Sequence, residues 1–158
     1  MQWLGFEATA GEAVARRPLV RVGLVAALVA ATANVGVYVL ARAAGVPLEL
    51  TEVFADEFAR MPVESFVLGT LLDGGVVAIA VAAACRRWAP RPRAWFVALA
   101  IAGAVASLGL PVLSDGTTAT KVVLSASHVV AAAVIVPAVA WVLGAPAPGS
   151  TCGTKGGT

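Results

Sequence analysis

Four polar side chains stand inside long apolar stretches of the sequence, where a polar group is costly unless it is hydrogen-bonded or functional. They are Asn34, Asp73, Ser107 and His128. A carboxylate and an imidazole can together bind a proton or another cation, and an amide and a hydroxyl can supply hydrogen bonds around it. The four residues therefore predict a proton or cation site built on Asp73 and His128.

The same residues also have a purely structural interpretation. Asp73 could be a protonated or hydrogen-bonded carboxyl that holds helices together, and His128 a neutral histidine hydrogen-bonded between helices. No metal or haem site is expected within one subunit, because the chain has a single His and no second suitable ligand at metal spacing. The sequence shows no nucleophile–base pair and no Walker, GxGxxG, HExxH or CxxC motif, so we expect neither an enzyme nor a cofactor.

The apolar stretches around these residues are long enough to cross a membrane. Spanning takes about 20 apolar residues, since each residue rises about 1.5 Å through roughly 30 Å of hydrocarbon. Four stretches satisfy this length, at about 22–41, 65–85, 94–114 and 122–144. The second contains Asp73 in the run LLDGGVV. Asp-Gly-Gly could break this span into two half-helices, but we favour a continuous helix in which the glycines form a close-packing face.

The composition agrees with a membrane protein. Hydrophobic residues make up 59% of the chain and charged residues 13%, against about 25% charged in a soluble domain. The formal net charge of +2 is too small to predict a nucleic-acid partner. We therefore predict an all-α integral membrane bundle of four transmembrane helices, surrounded by the lipid bilayer.

The basic residues predict how the bundle is oriented, because Lys and Arg collect in cytoplasmic loops. Eight of the 11 Lys and Arg residues lie before the first span, between the second and third spans, or in the C-terminal tail. They are Arg16, Arg17, Arg21, Arg86, Arg87, Arg91, Arg93 and Lys155. Both termini are therefore predicted to face the cytoplasm, with the chain multi-pass in a bacterial cytoplasmic (inner) membrane. At about 1.5 Å per residue, the four polar residues then all fall in the outer half of the bilayer.

The segments outside the spans are short. We predict a cytoplasmic extension over residues 1–17, a membrane domain over 18–144, and a disordered cytoplasmic tail over 145–158, which lacks apolar periodicity. In the acidic outer loop after the first span, Phe54, Phe58 and Met61 recur at helical spacing and predict a short amphipathic helix on the outer surface, with a lid or spacer as the alternative.

A polar segment, SDGTTATK, precedes the last span. Asp115 is predicted to cap or terminate this loop. Thr117, Thr118 and Thr120 are candidates for the N-cap of the last helix, because a threonine hydroxyl accepts a hydrogen bond from a free backbone N–H of the first turn.

Two stretches resemble a known family. SDGTTATKVVLSASHVVAAAVIVP at the last span and ANVGVYVLARAAGVPLEL at the exit of the first are similar to a family of uncharacterised actinobacterial four-helix membrane proteins, described only as a domain of unknown function. The resemblance covers about residues 20–143 and implies four spans without a known activity. Asn34, Asp115 and His128 lie in the similar stretches, whereas Asp73 lies outside them.

Two functions remain open at this point. The first is a non-enzymatic accessory or interaction subunit, forming a homo-oligomer or binding another membrane protein through small-residue faces such as Gly23/Ala27 and Gly74/Ala78. The alternative is a small transporter or proton-coupled carrier that uses Asp73 and His128.

Overall fold

The computed structural model describes residues 10–51 and 58–144, and helices dominate this part of the chain. The helices are α1 (Ala10–Ala43), α2 (Val63–Gly69), α3 (Val77–Trp88), α4 (Pro92–Leu113) and α5 (Thr118–Gly144), with a π-helix at Thr70–Val76 and short strands β1 (Glu49–Thr51) and β2 (Phe58–Arg60). Helix α1 begins inside the segment predicted as an extension. Residues 1–9 and the predicted tail lie outside the described residues.

Four helical segments are long and apolar enough to cross a membrane, which confirms the predicted four-span bundle. They are Pro18–Ala43, Val63–Trp88, Pro92–Gly109 and Thr118–Gly144. Helix α1 packs against α5 and against the second span, while α4 packs against α3 and α5. Helices α1 and α4 therefore occupy opposite corners of the bundle.

The second span, Val63–Trp88, is one continuous helix made of α2, the π-helix and α3. The Asp-Gly-Gly sequence does not break it, but the hydrogen bonding around Asp73 is that of a π-helix. A π-helix joins residue i to residue i+5, so positions five apart become neighbours on one face. Thr70 and Gly75 stand at this spacing, and both are buried.

Close contact between α1 and the second span depends on two glycines. A Cβ atom on Gly75 would lie 2.7 Å from the Cβ atom of Ala27, and one on Gly23 would lie 2.5 Å from Cγ1 of Ile79. The Gly23/Ala27 face, expected to bind a partner, is therefore buried within the chain. The glycine that faces Ala27 is Gly75. A Cβ atom on Gly74 would lie 3.0 Å from Cδ1 of Ile135 on α5, so both glycines pack closely, each against a different helix.

A tight connection follows α1. Gly45 has a φ of +79° and ends the helix, with the backbone N–H of Val46 donating to the carbonyl of Ala41. Leu48 is fully buried although its φ is 52°, a region that a branched residue rarely adopts. It packs in a small cluster with Ala41, Phe66 and Leu124.

Strands β1 and β2 pair antiparallel after this connection, with Glu49 opposite Arg60 and Thr51 opposite Phe58. The predicted amphipathic helix is therefore wrong at Phe58, because β1 supplies backbone partners that a short exposed helix would lack. Phe54, the other aromatic residue of that prediction, lies outside the described residues.

Helix α5 has a side-chain cap. The Thr117 hydroxyl accepts a hydrogen bond from the backbone N–H of Thr120 at 3.2 Å and lies 2.9 Å from the Thr120 hydroxyl. Thr117 is thus the N-cap among the three predicted candidates. Asp115 is exposed in the connection between α4 and α5.

Candidate functional site

A cavity of about 560 Å³ lies between the second span, α4 and α5, and we call it the interhelical cavity. Its walls are mostly apolar, and every span contributes at least one polar side chain to them: Asn34, Ser65, Thr70, Asp73, Ser107, Ser127 and His128. The structure thus brings all four residues singled out in the sequence into the lining of one cavity. Its volume is that of a small-molecule site, about 300–1,000 Å³.

The polar lining residues lie in one half of the bundle. Each belongs to the half of its helix that is nearer the β1–β2 hairpin and the α4–α5 connection. The other half of the cavity wall is apolar and includes Val81, the fully buried Phe96 and Val136. The interhelical cavity therefore has a polar end and an apolar end.

Asn34 is held by a chain of hydrogen bonds between α1 and the second span. Thr70 donates its hydroxyl proton to the carbonyl of Phe66 at 2.6 Å, so its oxygen accepts from Nδ2 of Asn34 at 2.8 Å. This order fixes the orientation of the amide, because a carbonyl can only accept. Asn34 is 2% exposed, and its Oδ1 atom finds no donor among the described residues.

His128 has one ring nitrogen fixed by its own helix. Nδ1 lies 2.8 Å from the carbonyl oxygen of Leu124, so Nδ1 carries the proton of this bond. In the neutral imidazole Nε2 is then an acceptor. Ser127 donates to the same carbonyl at 2.7 Å, and on α4 Ser107 donates to the carbonyl of Ala104 at 2.8 Å.

Asp73 is exposed within the π-helix and lines the interhelical cavity. Across the residues that the structure describes, no hydrogen bond or ion pair joins it to His128, so the two residues share a cavity without forming a direct pair. Its carboxylate is left as the one formally charged group among the lining residues. The predicted site is thus an open cavity with dispersed polar groups rather than a closed acid–imidazole pair.

A lateral gap opens the interhelical cavity on one side. Helix α4 packs on α3 and α5 but makes at most marginal contact with α2 and the π-helix. The exposed lining residues lie along this gap, with Ser65 of α2, Asp73 of the π-helix and Val77 at the start of α3 on one edge, and Leu99 and Gly103 of α4 on the other. Since these helices are the spans, the gap faces the region that lipid would occupy.

A protein-family model matches residues 14–145, a range that includes all four spans and every polar residue of the cavity. The chain belongs to the family of unknown function DUF6069. No curated protein and no solved structure matches the chain. The family match thus confirms a domain of unknown function over most of the chain and brings no activity with it.

Three polar lining residues of this DUF6069 chain were missed in the sequence. Ser65 lies in the first turn of α2. Thr70 holds Asn34, and Ser127 lies beside His128 on the cavity wall. The available signal for Thr70 was its spacing from Asp73, since residues i and i+3 share a helix face. For Ser127 there was no such signal, because adjacent residues point in different directions around an α-helix.

Proposed function

We propose that this protein is a non-enzymatic, multi-pass protein of a bacterial cytoplasmic membrane that binds a small molecule in the interhelical cavity, as a small transporter or proton-coupled carrier does. The single observation that carries this proposal is the cavity itself, lined by polar groups from all four spans. The cytoplasmic placement of both termini and an actinobacterial source belong to the same proposal. They are supported by the distribution of basic residues and by the sequence resemblance.

The hydrogen bonding in the cavity favours binding over catalysis. The Ser127 hydroxyl and Nδ1 of His128 both donate to the carbonyl of Leu124, so the two side chains do not form a nucleophile–base pair. The carboxylate of Asp73 lies on another helix and is not hydrogen-bonded to either. Groups arranged in this way can orient a ligand without reacting with it.

The position of the polar groups favours a carrier among binding proteins. An acidic residue inside a membrane domain is functional by default, and such residues face water-filled cavities or substrate paths. Asp73 lies at an open edge of the interhelical cavity, within a π-helix, and π-helical turns are frequent at functional sites.

Filling the cavity tests the proposal. A Cβ atom at Gly103 would meet no atom within 4 Å, and Gly103 lines the cavity, so Gly103→Phe should place a ring at the cavity wall from an unobstructed Cβ position. We expect native mass spectrometry of protein released from nanodiscs to show a small molecule on the wild type that is lost in Gly103→Phe. Asp73→Asn should lose it as well.

Gly109→Phe is the matched control. Gly109 lies on the same helix and also has open space at its Cβ position, but it does not line the cavity. It should keep the bound molecule. A molecule retained in Gly103→Phe, or lost equally in both variants, would contradict binding in the interhelical cavity.

An accessory or interaction subunit is the second candidate, and the exposure of α4 favours it. Only 6% of the most apolar window of α4 is buried, against 22% to 33% in the other spans. Its outward residues include Ala102, Ala106 and Val105, which suit close packing with another helix. A ligand-free oligomer, or a second protein bound to wild type and Gly103→Phe alike, would support this role in the same mass spectra.

A further inference from the structure

We infer that the interhelical cavity selects a hydrophobic amine, that is, a ligand with an apolar body and a cationic head that donates hydrogen bonds. This inference rests on the proposed binding function and names the chemical class of its ligand. It follows from which hydrogen-bonding groups of the lining are already used and which are left.

The donors of the lining are largely used inside the protein. Thr70 donates to the carbonyl of Phe66, and Asn34 donates to Thr70. The hydroxyl groups of Ser107 and Ser127 and Nδ1 of His128 donate to backbone carbonyls of their own helices. A hydroxyl that has donated its single proton keeps only acceptor capacity.

Apart from the hydroxyl of Ser65, which is exposed, and the second amide proton of Asn34, the groups left over are acceptors. Oδ1 of Asn34 is buried and has no donor within residues 10–51 and 58–144, which costs free energy until a donor reaches it. Nε2 of His128 is an acceptor when Nδ1 carries the only ring proton, and a carboxylate such as that of Asp73 has acceptor oxygens only. A ligand that donates hydrogen bonds complements these acceptors, whereas a carboxylate or phosphate ligand would place its own acceptor oxygens against them.

The charge of the lining points the same way. Asp73 is the only Asp, Glu, Lys or Arg among the lining residues that the structure describes, so the formal charge of the wall is negative. An unpaired carboxylate in a low-dielectric setting is stabilised by a cation, and the attraction is stronger there than in water. No lining Lys or Arg within the described ranges would attract an anion instead.

The apolar end of the cavity indicates the chemistry of the part of the ligand that lies beyond its cationic head. Phe96 and Val81 line that end, and the lateral gap beside Leu99 and Gly103 opens toward lipid. A small hydrated metal ion or a free proton would leave this apolar volume without a complementary group. A molecule of about the cavity volume, apolar at one end and cationic at the other, satisfies both ends.

Four probes with one shared naphthylethyl body separate the contributions of charge and hydrogen bonding. They carry a primary amine, a trimethylammonium group, an alcohol or a carboxylic acid. Binding is measured by isothermal titration calorimetry to the full chain in phosphatidylcholine nanodiscs, with empty nanodiscs subtracted. We expect the amine to bind about tenfold or more tightly than the carboxylic acid, an effect as large as one charge-assisted hydrogen bond. The trimethylammonium probe, which lacks an N–H, should bind less tightly than the amine.

Asp73→Asn and Asp115→Asn form a matched pair of variants. Asp73→Asn removes the cavity carboxylate and should weaken binding of the amine about tenfold. The affinity for the alcohol should stay the same, and this unchanged affinity also shows that the variant is folded. The second makes the same chemical change on the exposed connection before α5 and should leave every probe unchanged.

The outcomes distinguish this inference from the function on which it rests. Equal saturable binding of all four probes, lost in Gly103→Phe, would overturn the amine preference and leave the binding site intact. Preferred binding of the carboxylic acid, or no saturable binding of any probe, would also overturn it. The proposed binding function would then be tested separately, by whether native mass spectrometry finds a molecule on the wild type that is absent from Gly103→Phe.

Discussion

Asn34 and Thr70 form the side-chain hydrogen bond between α1 and the second span, and Thr70 tests what that bond contributes to stability. Thr70→Val keeps the shape of the side chain but leaves the buried amide of Asn34 without its acceptor. We expect the free energy of unfolding to fall by about 1–2 kcal/mol, which is within the range for buried hydrogen bonds in membrane bundles. Unfolding in detergent micelles by added dodecyl sulfate, followed by circular dichroism, measures it.

Thr32→Val is the control for this prediction. The Thr32 hydroxyl is exposed and donates to the carbonyl of Leu28 in its own helix, so no second span depends on it. Its replacement should change the free energy of unfolding by less than about 0.5 kcal/mol. Equal losses in the two variants would show that the Asn34–Thr70 bond does not hold the spans together.

At the scale of single residues, the sequence predicts the depth of a side chain in the membrane but not the direction in which it points. Counting along each span places Asn34, Asp73, Ser107 and His128 near one level, and the structure has all four in one cavity lining. Which way each side chain points depends on the rotation of its helix, and that is decided by packing between spans. The hydrogen bond from Nδ1 of His128 to its own helix could not be read from the spacing of polar residues.

The approach of α1 to the π-helix is a property of these two elements, and Gly75→Ala tests it. The added Cβ would lie 2.7 Å from that of Ala27, well inside the roughly 3.5–4.0 Å of ordinary carbon contacts. We expect the free energy of unfolding to fall by about 1–3 kcal/mol, as in overpacked cores. The same dodecyl sulfate titration measures this loss.

Two further variants complete the test of this contact. Ala27→Gly in combination with Gly75→Ala should restore most of the lost stability, because it removes the facing atom. Gly36→Ala, at an exposed position of α1 with open space around it, should be neutral or stabilising by up to about 1 kcal/mol. A destabilising Gly36→Ala, or a double variant no better than Gly75→Ala, would contradict the steric explanation.

Among the elements, the four spans were predictable and the π-helix was not. Span length follows from bilayer thickness, so an uncharged run of the right length suffices to predict a span. The π-helix changes the spacing from i+4 to i+5 without a distinct composition. Both glycines were predicted to pack closely, and Gly75 packs on α1. Gly74 and Ala78, predicted as a face for a partner, line the cavity instead. The β1–β2 hairpin was also missed, because its two strands are three residues each.

The orientation of the whole molecule in the membrane can be tested with introduced thiols. Asp115→Cys and Arg91→Cys place exposed thiols at opposite ends of the bundle, in a background with Cys85→Ala and Cys152→Ser. Because arginines gather in the α3–α4 connection, we expect a membrane-impermeant maleimide to label position 115 in intact cells and position 91 only after permeabilisation. The reverse pattern would place both termini outside.

The lateral gap between the π-helix and α4 determines the route by which a ligand reaches the cavity, and the gap faces the bilayer. At equilibrium a hydrophobic amine has the same chemical potential in lipid and in water, so the route leaves the dissociation constant unchanged. The rates depend on the route. Association should become faster as the mole fraction of the amine in lipid increases, and a bulky side chain across the gap should slow association and dissociation by the same factor.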